Sequence, residues 1–153
     1  MSLRQNCFWT GILAGALMSV AALAQGADGM TVFTENCAAC HQADAKGTPG
    51  VAPPLIGTHW QRLQDPQKNY ILQVLAAGLT GKLTIADQTY NGAMPMFRHL
   101  DPEEVAAVAS YVLSLNAGAE LSPVLSAKDV LAARSQDPKQ SEVRALRKSL
   151  LKE

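Results

Sequence analysis

Aromatic side chains are scarce in this 153-residue chain, at 5%, which is thin for a core of such length to close on its own side chains. Net charge is absent as well: 13 Lys and Arg stand against 13 Asp and Glu. A chain so balanced has no basic footprint for nucleic acid, and that partner class is excluded. Cysteine is sparse too. Cys7 falls in an N-terminal apolar leader, leaving Cys37 and Cys40 for the rest of the chain. Two thiols cannot build a disulfide framework. Nor does a second pair exist to complete a structural zinc site, and the βαβ setting of a thioredoxin-type pair is missing. The length suits one small domain with additions.

What is present is the pentapeptide Cys37-Ala38-Ala39-Cys40-His41. Two thiols three positions apart, followed at once by an imidazole, have the spacing that attaches a c-type haem. On one helical turn the two sulfurs share a face, so both can form thioethers with the vinyl groups of one porphyrin. His41 then supplies a proximal nitrogen to the iron. A buried macrocycle would also provide the apolar bulk that the aromatic count lacks.

Residues 1–24 read as an export signal, with Arg4 as the positive start and Phe8 to Ala24 uncharged and mostly apolar. Ala22-Leu23-Ala24 gives a small-x-small site before Gln25. Cleavage there is the expectation; an uncleaved anchor is the alternative, since the run approaches the length that spans a bilayer. Cys7 precedes the apolar run and is badly placed to become a lipidated first residue. Either outcome puts the globular part outside the cytoplasm, in the periplasm.

From Asp28 to Cys40 the pattern predicts a short helix capped by Asp28 or Thr31, with Val32, Phe33 and Cys37 on one stripe. Residues 42–58 are loop by composition. Inside that loop, Pro53-Pro54 either stiffens the backbone that accepts the proximal imidazole's second N–H or is simply a rigid turn. Asp65-Pro66 opens a second helix with Ile71, Leu72, Val74 and Leu75 inward and Gly78 at its end. A brief alternation at Leu83-Thr84-Ile85 suits a small hairpin. Asp101-Pro102-Glu103-Glu104 opens a third helix whose stripe is Val105, Val108, Ala109, Val112 and Leu115. Tyr111 is placed to pack near Phe33, and Asn116 and Gly118 stop the helix.

Between these helices lies Asn91-Gly92-Ala93-Met94-Pro95-Met96-Phe97. A thioether is a suitable sixth ligand to haem iron, and Pro95 would hold the Met94 sulfur on rigid, non-helical backbone. Met96 is the rival, and either methionine also works as a filler of core gaps. His59 and His99 read as surface or supporting residues rather than ligands. Trp60 and Tyr70 suit either a haem propionate or plain packing.

Taken in order, CAACH, APPLIG (52–57), NGAMPMF (91–97) and EEVAAVASYVLSL (103–115) make the chain resemble the class I c-type cytochromes, over about residues 28–116. The nearest look is to single-haem subunits that take electrons from periplasmic dehydrogenases, whose YNGAMP segment reads almost as Tyr90 to Pro95 does. The resemblance implies an all-α cytochrome c fold of three main helices around one covalent haem c with its iron. It implies attachment at Cys37 and Cys40, axial ligands His41 and Met94, a Pro53 carbonyl orienting His41, and Leu55 packed on the ring. It also implies a non-enzymatic electron carrier between an upstream dehydrogenase and a downstream cytochrome or oxidase. A haem enzyme or ligand sensor with an open sixth position is the alternative, and a purely structural subunit a third reading.

Two stretches depart from a minimal member: residues 81–90, and a helical extension at 117–153 that follows the 25–116 cytochrome domain. In the extension Ser126 to Asp129 forms a capping box. Ser141 is the expected cap of a last helix carrying Val143, Leu146, Leu150 and Leu151, with basic Arg144, Arg147, Lys148 and Lys152. That helix either packs its leucines on its own domain or presents a basic face to a partner, with the first reading preferred.

Overall fold

The computed structural model describes residues 26–61, 64–85, 87–116 and 124–151. The leader and the start of the extension, with the expected stop at Gly118, lie outside the described residues. Among those described, no helix is long and apolar enough to cross a membrane.

The first helix, α1 (Gly29–Asn36), starts because the Asp28 carboxylate accepts from the Thr31 backbone N–H at 3.0 Å. It is shorter than the sequence predicts. Its C-cap, Cys37, has φ −121°, and a separate turn, α2 (Ala38–His41), carries the rest of the cysteine motif. The Asn36 side-chain amide also donates to the Val32 carbonyl at 3.0 Å, beside the last turn. After a further turn, α3 (Thr58–Gln61), comes the long α4 (Gln64–Ala77), which begins one residue before its expected cap, Asp65. Gly78 ends it at φ +68°. Any Cβ there would also lie 2.7 Å from the Met94 carbonyl oxygen, so glycine lets the helix end close against the methionine strand.

Four short strands follow, and they qualify the all-α expectation: β1 (Leu79–Thr80), β2 (Leu83–Ile85), β3 (Gln88–Tyr90) and β4 (Ala93–Met94). β2 and β3 make the small hairpin the alternation suggested, Leu83 opposite Tyr90. β1 and β4 form a second antiparallel pair, Leu79 opposite Met94. Two-residue strands lie below the length at which alternation can be read, and their pairing is fixed by the loop between them.

The third main helix, α5 (Pro102–Ser114), opens with Asp101 as cap, Pro102 first, and a reciprocal box in which the Glu104 carboxylate accepts from the Asp101 N–H at 2.8 Å. α5 packs on α1, where the Phe33 and Tyr111 rings lie 5.4 Å apart, close enough to add to the burial of both. At the end of α5, Asn116 does more than stop the helix. Its side chain donates to the carbonyls of Leu55 at 2.7 Å and Val112 at 3.1 Å, and accepts from the Gly57 N–H at 3.0 Å. Since each such bond contributes about 1 kcal/mol net, Asn116→Ala is expected to cost about 2 kcal/mol. It should read as a lower guanidinium midpoint at unchanged slope.

The extension forms α6 (Ala127–Ser135), with the expected Ser126–Asp129 box, and α7 (Gln140–Leu151). α7 starts ahead of Ser141: the Lys139 N–H donates to the Glu142 carboxylate at 2.8 Å, so Ser141 sits inside the first turn rather than capping it. Val143 and Leu151 are buried, Leu146 and Leu150 half-buried against the core. The basic-face reading loses two of its members. Arg144 donates to the carbonyls of Thr80 at 2.6 Å and Lys82 at 3.0 Å, and Arg147 is 5% exposed. Lys148 is exposed, and Lys152 lies outside the described residues.

Candidate functional site

These elements enclose one deep cleft with open space of about 1260 Å³, its mouth included. One wall is the cysteine turn, in which the Cys37 carbonyl accepts from the N–H groups of Cys40 at 3.1 Å and His41 at 2.9 Å. Cys37 is half-buried and Cys40 exposed. Burial, then the neighbouring Cys40, pushes the Cys37 thiol up to about 11.

His41 is buried, and Pro53 is half-buried beside it. The imidazole Nδ1 lies 2.9 Å from the Pro53 carbonyl oxygen, and with that nitrogen donating, Nε2 keeps its lone pair for a metal. Burial lowers the pKa of His41, with the Pro53 bond pulling the other way; the net effect favours the neutral imidazole that ligation requires. Gly47 makes this placement possible. It sits at φ +75°, and a Cβ there would come within 2.7 Å of the Pro53 carbonyl carbon and oxygen, so a larger residue would displace the acceptor of His41.

Leu55, half-buried, and the β2–β3 hairpin through Leu83, Ile85 and Tyr90 also line the cleft. Met94 lines it from β4, whereas Met96 is 55% exposed and stands apart. Pairing with β1 turns Met94 inward. The bond from the Phe97 N–H to the Leu75 carbonyl, 2.9 Å, carries the chain away before alternation brings Met96 back. The segments bearing the two donors are also joined to each other, through Asn91 N–H to the Gly50 carbonyl at 2.9 Å and Gly92 N–H to the Val51 carbonyl at 3.0 Å.

His99 is exposed and outside the cleft, its ring against Phe97. His59 and Trp60 line the cleft and turn their ring nitrogens to the Pro54 carbonyl at 3.2 and 3.3 Å. Tyr70 is buried beside Trp60, ring centroids 6.4 Å apart. No described residue of the lining is acidic, and Arg147 is the one Lys or Arg there. Arg147 and the clasp at Asn116 are the site features that motif reading missed. For Arg147 the signal was available: positions 143, 147 and 151 recur every four residues on the apolar face.

Two sulfurs and a neutral imidazole on one wall, with a thioether on the same apolar cleft, match the chemistry of a haem that is covalently held and ligated from the protein. The class this defines is the small haem protein with thioether-linked cofactor. Residues 26–116 match the family model described as Cytochrome c, and the chain belongs to that family, whose members carry covalently bound haem c with its iron and transfer electrons. The chain is 38% identical over 102 residues to a cytochrome c-552 of Thermus thermophilus, covering 66% of this chain and 68% of that one. It is 35% identical over 94 residues to the Cbb3-type cytochrome c oxidase subunit FixP of Bradyrhizobium sp. (strain ORS 278) and 33% over 96 residues to the subunit CcoP of Azospirillum brasilense. Each of those two matches spans only 28% of the longer protein.

Proposed function

We propose that this chain is an exported, single-haem electron carrier. It takes single electrons from a periplasmic dehydrogenase or comparable oxidoreductase and passes them to a downstream cytochrome or terminal oxidase. The observation that carries the reading is that His41 and Met94, the two residues that would ligate the iron, line the same cleft. When bound, the haem supplies a one-electron change at its iron. The residues supply the rest: Cys37 and Cys40 tether the cofactor, and the Pro53 carbonyl holds His41 in one tautomer. Leu55 and the hairpin would shield the bound group from water, and Met94 would offer its thioether to the iron. A dry surround and an axial thioether both tune the potential.

No acid–base pair is found among the described lining residues, which supports a carrier rather than a haem enzyme. Likeness to two oxidase subunits supports a partner on the oxidase side, and the apolar leader supports the periplasm. The described residues exposed at the cleft, Cys40, Val51, Gly81, Ala93 and Pro95, are all uncharged. Docking at that mouth would therefore depend little on salt.

Carbon monoxide added to the reduced protein tests the assignment. A closed His/Met site is expected to bind it slowly and incompletely, with reversible one-electron oxidation. Rapid stoichiometric binding would overturn the carrier in favour of a ligand sensor or haem enzyme. A haem that keeps one oxidation state while a reducing dehydrogenase turns over would leave a structural subunit.

A further inference from the structure

We propose that Arg144, from the C-terminal extension, is a positioning residue for Met94. It locks β1, and through β1 the strand that carries the thioether, so that the extension sets how firmly the sixth position is closed. This role rests on the reading of Met94 as the sixth ligand and adds a layer of support behind it. Arg144 lies beyond the residues that match the family model, 26–116, so the family motifs do not assign it. β1 and β4 pair through two positions on each strand, Leu79 with Met94 and Thr80 with Ala93. So short a pair has little length with which to fix its own register, and a slip of one residue turns every side chain to the opposite face. A hold from outside the pair is needed.

α7 supplies it. The half-buried Arg144 donates from Nη1 to the Thr80 carbonyl at 2.6 Å and from Nη2 to the Lys82 carbonyl at 3.0 Å. A planar guanidinium holds two acceptors in one fixed geometry, which a single ammonium does not. One turn earlier, Gln140 accepts from the Thr80 hydroxyl at 2.7 Å and donates to the Ala77 carbonyl at 3.3 Å. Two glycines bracket β1 and show how closely it is gripped. A Cβ at Gly78 would lie 2.7 Å from the Met94 carbonyl oxygen, and one at Gly81, φ +85°, would lie 3.1 Å from Arg144 Nη1. Glycine thus lets both the methionine strand and the guanidinium close on this segment. The far end of the methionine segment is fixed separately, by Arg134 donating to the carbonyls of Phe97 at 3.1 Å and Leu100 at 2.8 Å. β1 is therefore the end at which Arg144 acts.

Carbon monoxide reads the lock. It reaches the reduced iron only while Met94 is away, so its binding rate follows the population of the open form. Being uncharged, it does not sense the lost charge itself. Matured, haem-loaded Arg144→Ala is expected to bind it about tenfold faster than the unaltered protein, a population change worth about 1.4 kcal/mol. The same variant should lose its sulfur-to-iron band at a guanidinium concentration below that at which its helices melt. Tyr111→Leu is the control for stability alone, since it weakens the ring contact with Phe33 outside the cleft lining; its midpoint should fall while its carbon monoxide rate stays. An unchanged rate in Arg144→Ala, or equal acceleration in both variants for an equal fall in midpoint, overturns the positioning role. If Arg144→Ala does not mature, Gln140→Ala removes the neighbouring contacts to β1 and should accelerate binding to a smaller degree; no acceleration there overturns the role as well. An unaltered protein lacking the sulfur-to-iron band would instead remove Met94 as ligand, and this role with it. A band present in the unaltered protein, with no response in either variant, removes the lock alone.

Discussion

Cys37→Ala combined with Cys40→Ala is expected to abolish covalent attachment, taking thioether-bound haem from one per chain to none. Acid–acetone extraction of the exported product should then remove all colour, whereas the unaltered protein keeps it. The turn from Cys37 to His41 exists to set two sulfurs and one imidazole side by side, and the backbone bonds to the Cys37 carbonyl hold it. Loss of the tether returns the full association entropy to the cofactor, leaving two axial bonds and apolar contact to retain it. Stability should fall as well. The cleft separates Leu75, Val108, Ala109 and Val112 from the loop that carries Pro53 and Leu55, so without the macrocycle these groups face open space rather than a ring. Each single replacement leaves one thioether and should leave the haem unextractable. A double variant that stayed red after extraction would remove both cysteines from the site.

Met94→Ala comes next in size. It should erase the sulfur-to-iron charge-transfer band of the oxidised protein and lower the potential by tenths of a volt, within the roughly 0.8 V over which axial ligands set haem potentials. The reduced variant should also bind carbon monoxide rapidly, its sixth position now being open. Met96→Ala is the control: at 55% exposure, outside the cleft, it should change neither band nor potential. If the Met94 variant kept its oxidised spectrum while the Met96 variant lost it, the ligand assignment would be reversed.

Much of this was legible because it is written in short-range chemistry. The cysteine spacing, the Asp101-Pro102 helix start and the Ser126–Asp129 box all involve residues within one turn of each other, and each adopts the expected local form. The Phe33–Tyr111 contact was also readable, because two apolar stripes had to meet. What escaped depends on partners far apart in the chain. The β1–β4 pair joins residues 79 and 94 through only two positions on each strand, fewer than any period needs. Asn116 reads as a helix stop, yet its side chain closes on residues some sixty positions away. The start of α7 moved because Glu142 reaches back to the Lys139 N–H, a reciprocal contact that outcompetes the serine expected to cap. Arg147 reads as part of a solvated basic face because arginine nearly always is, yet it lies buried on the wall of the cleft.

The two backbone bonds that join residues 50 and 51 to residues 91 and 92 bear on how fast the chain can work. They belong to the main chain, so the loops behind His41 and Met94 form one frame rather than two independently hinged arms. A frame of that kind has little room to relax when the iron gains or loses charge, and the nuclear rearrangement that must precede each electron hop stays small.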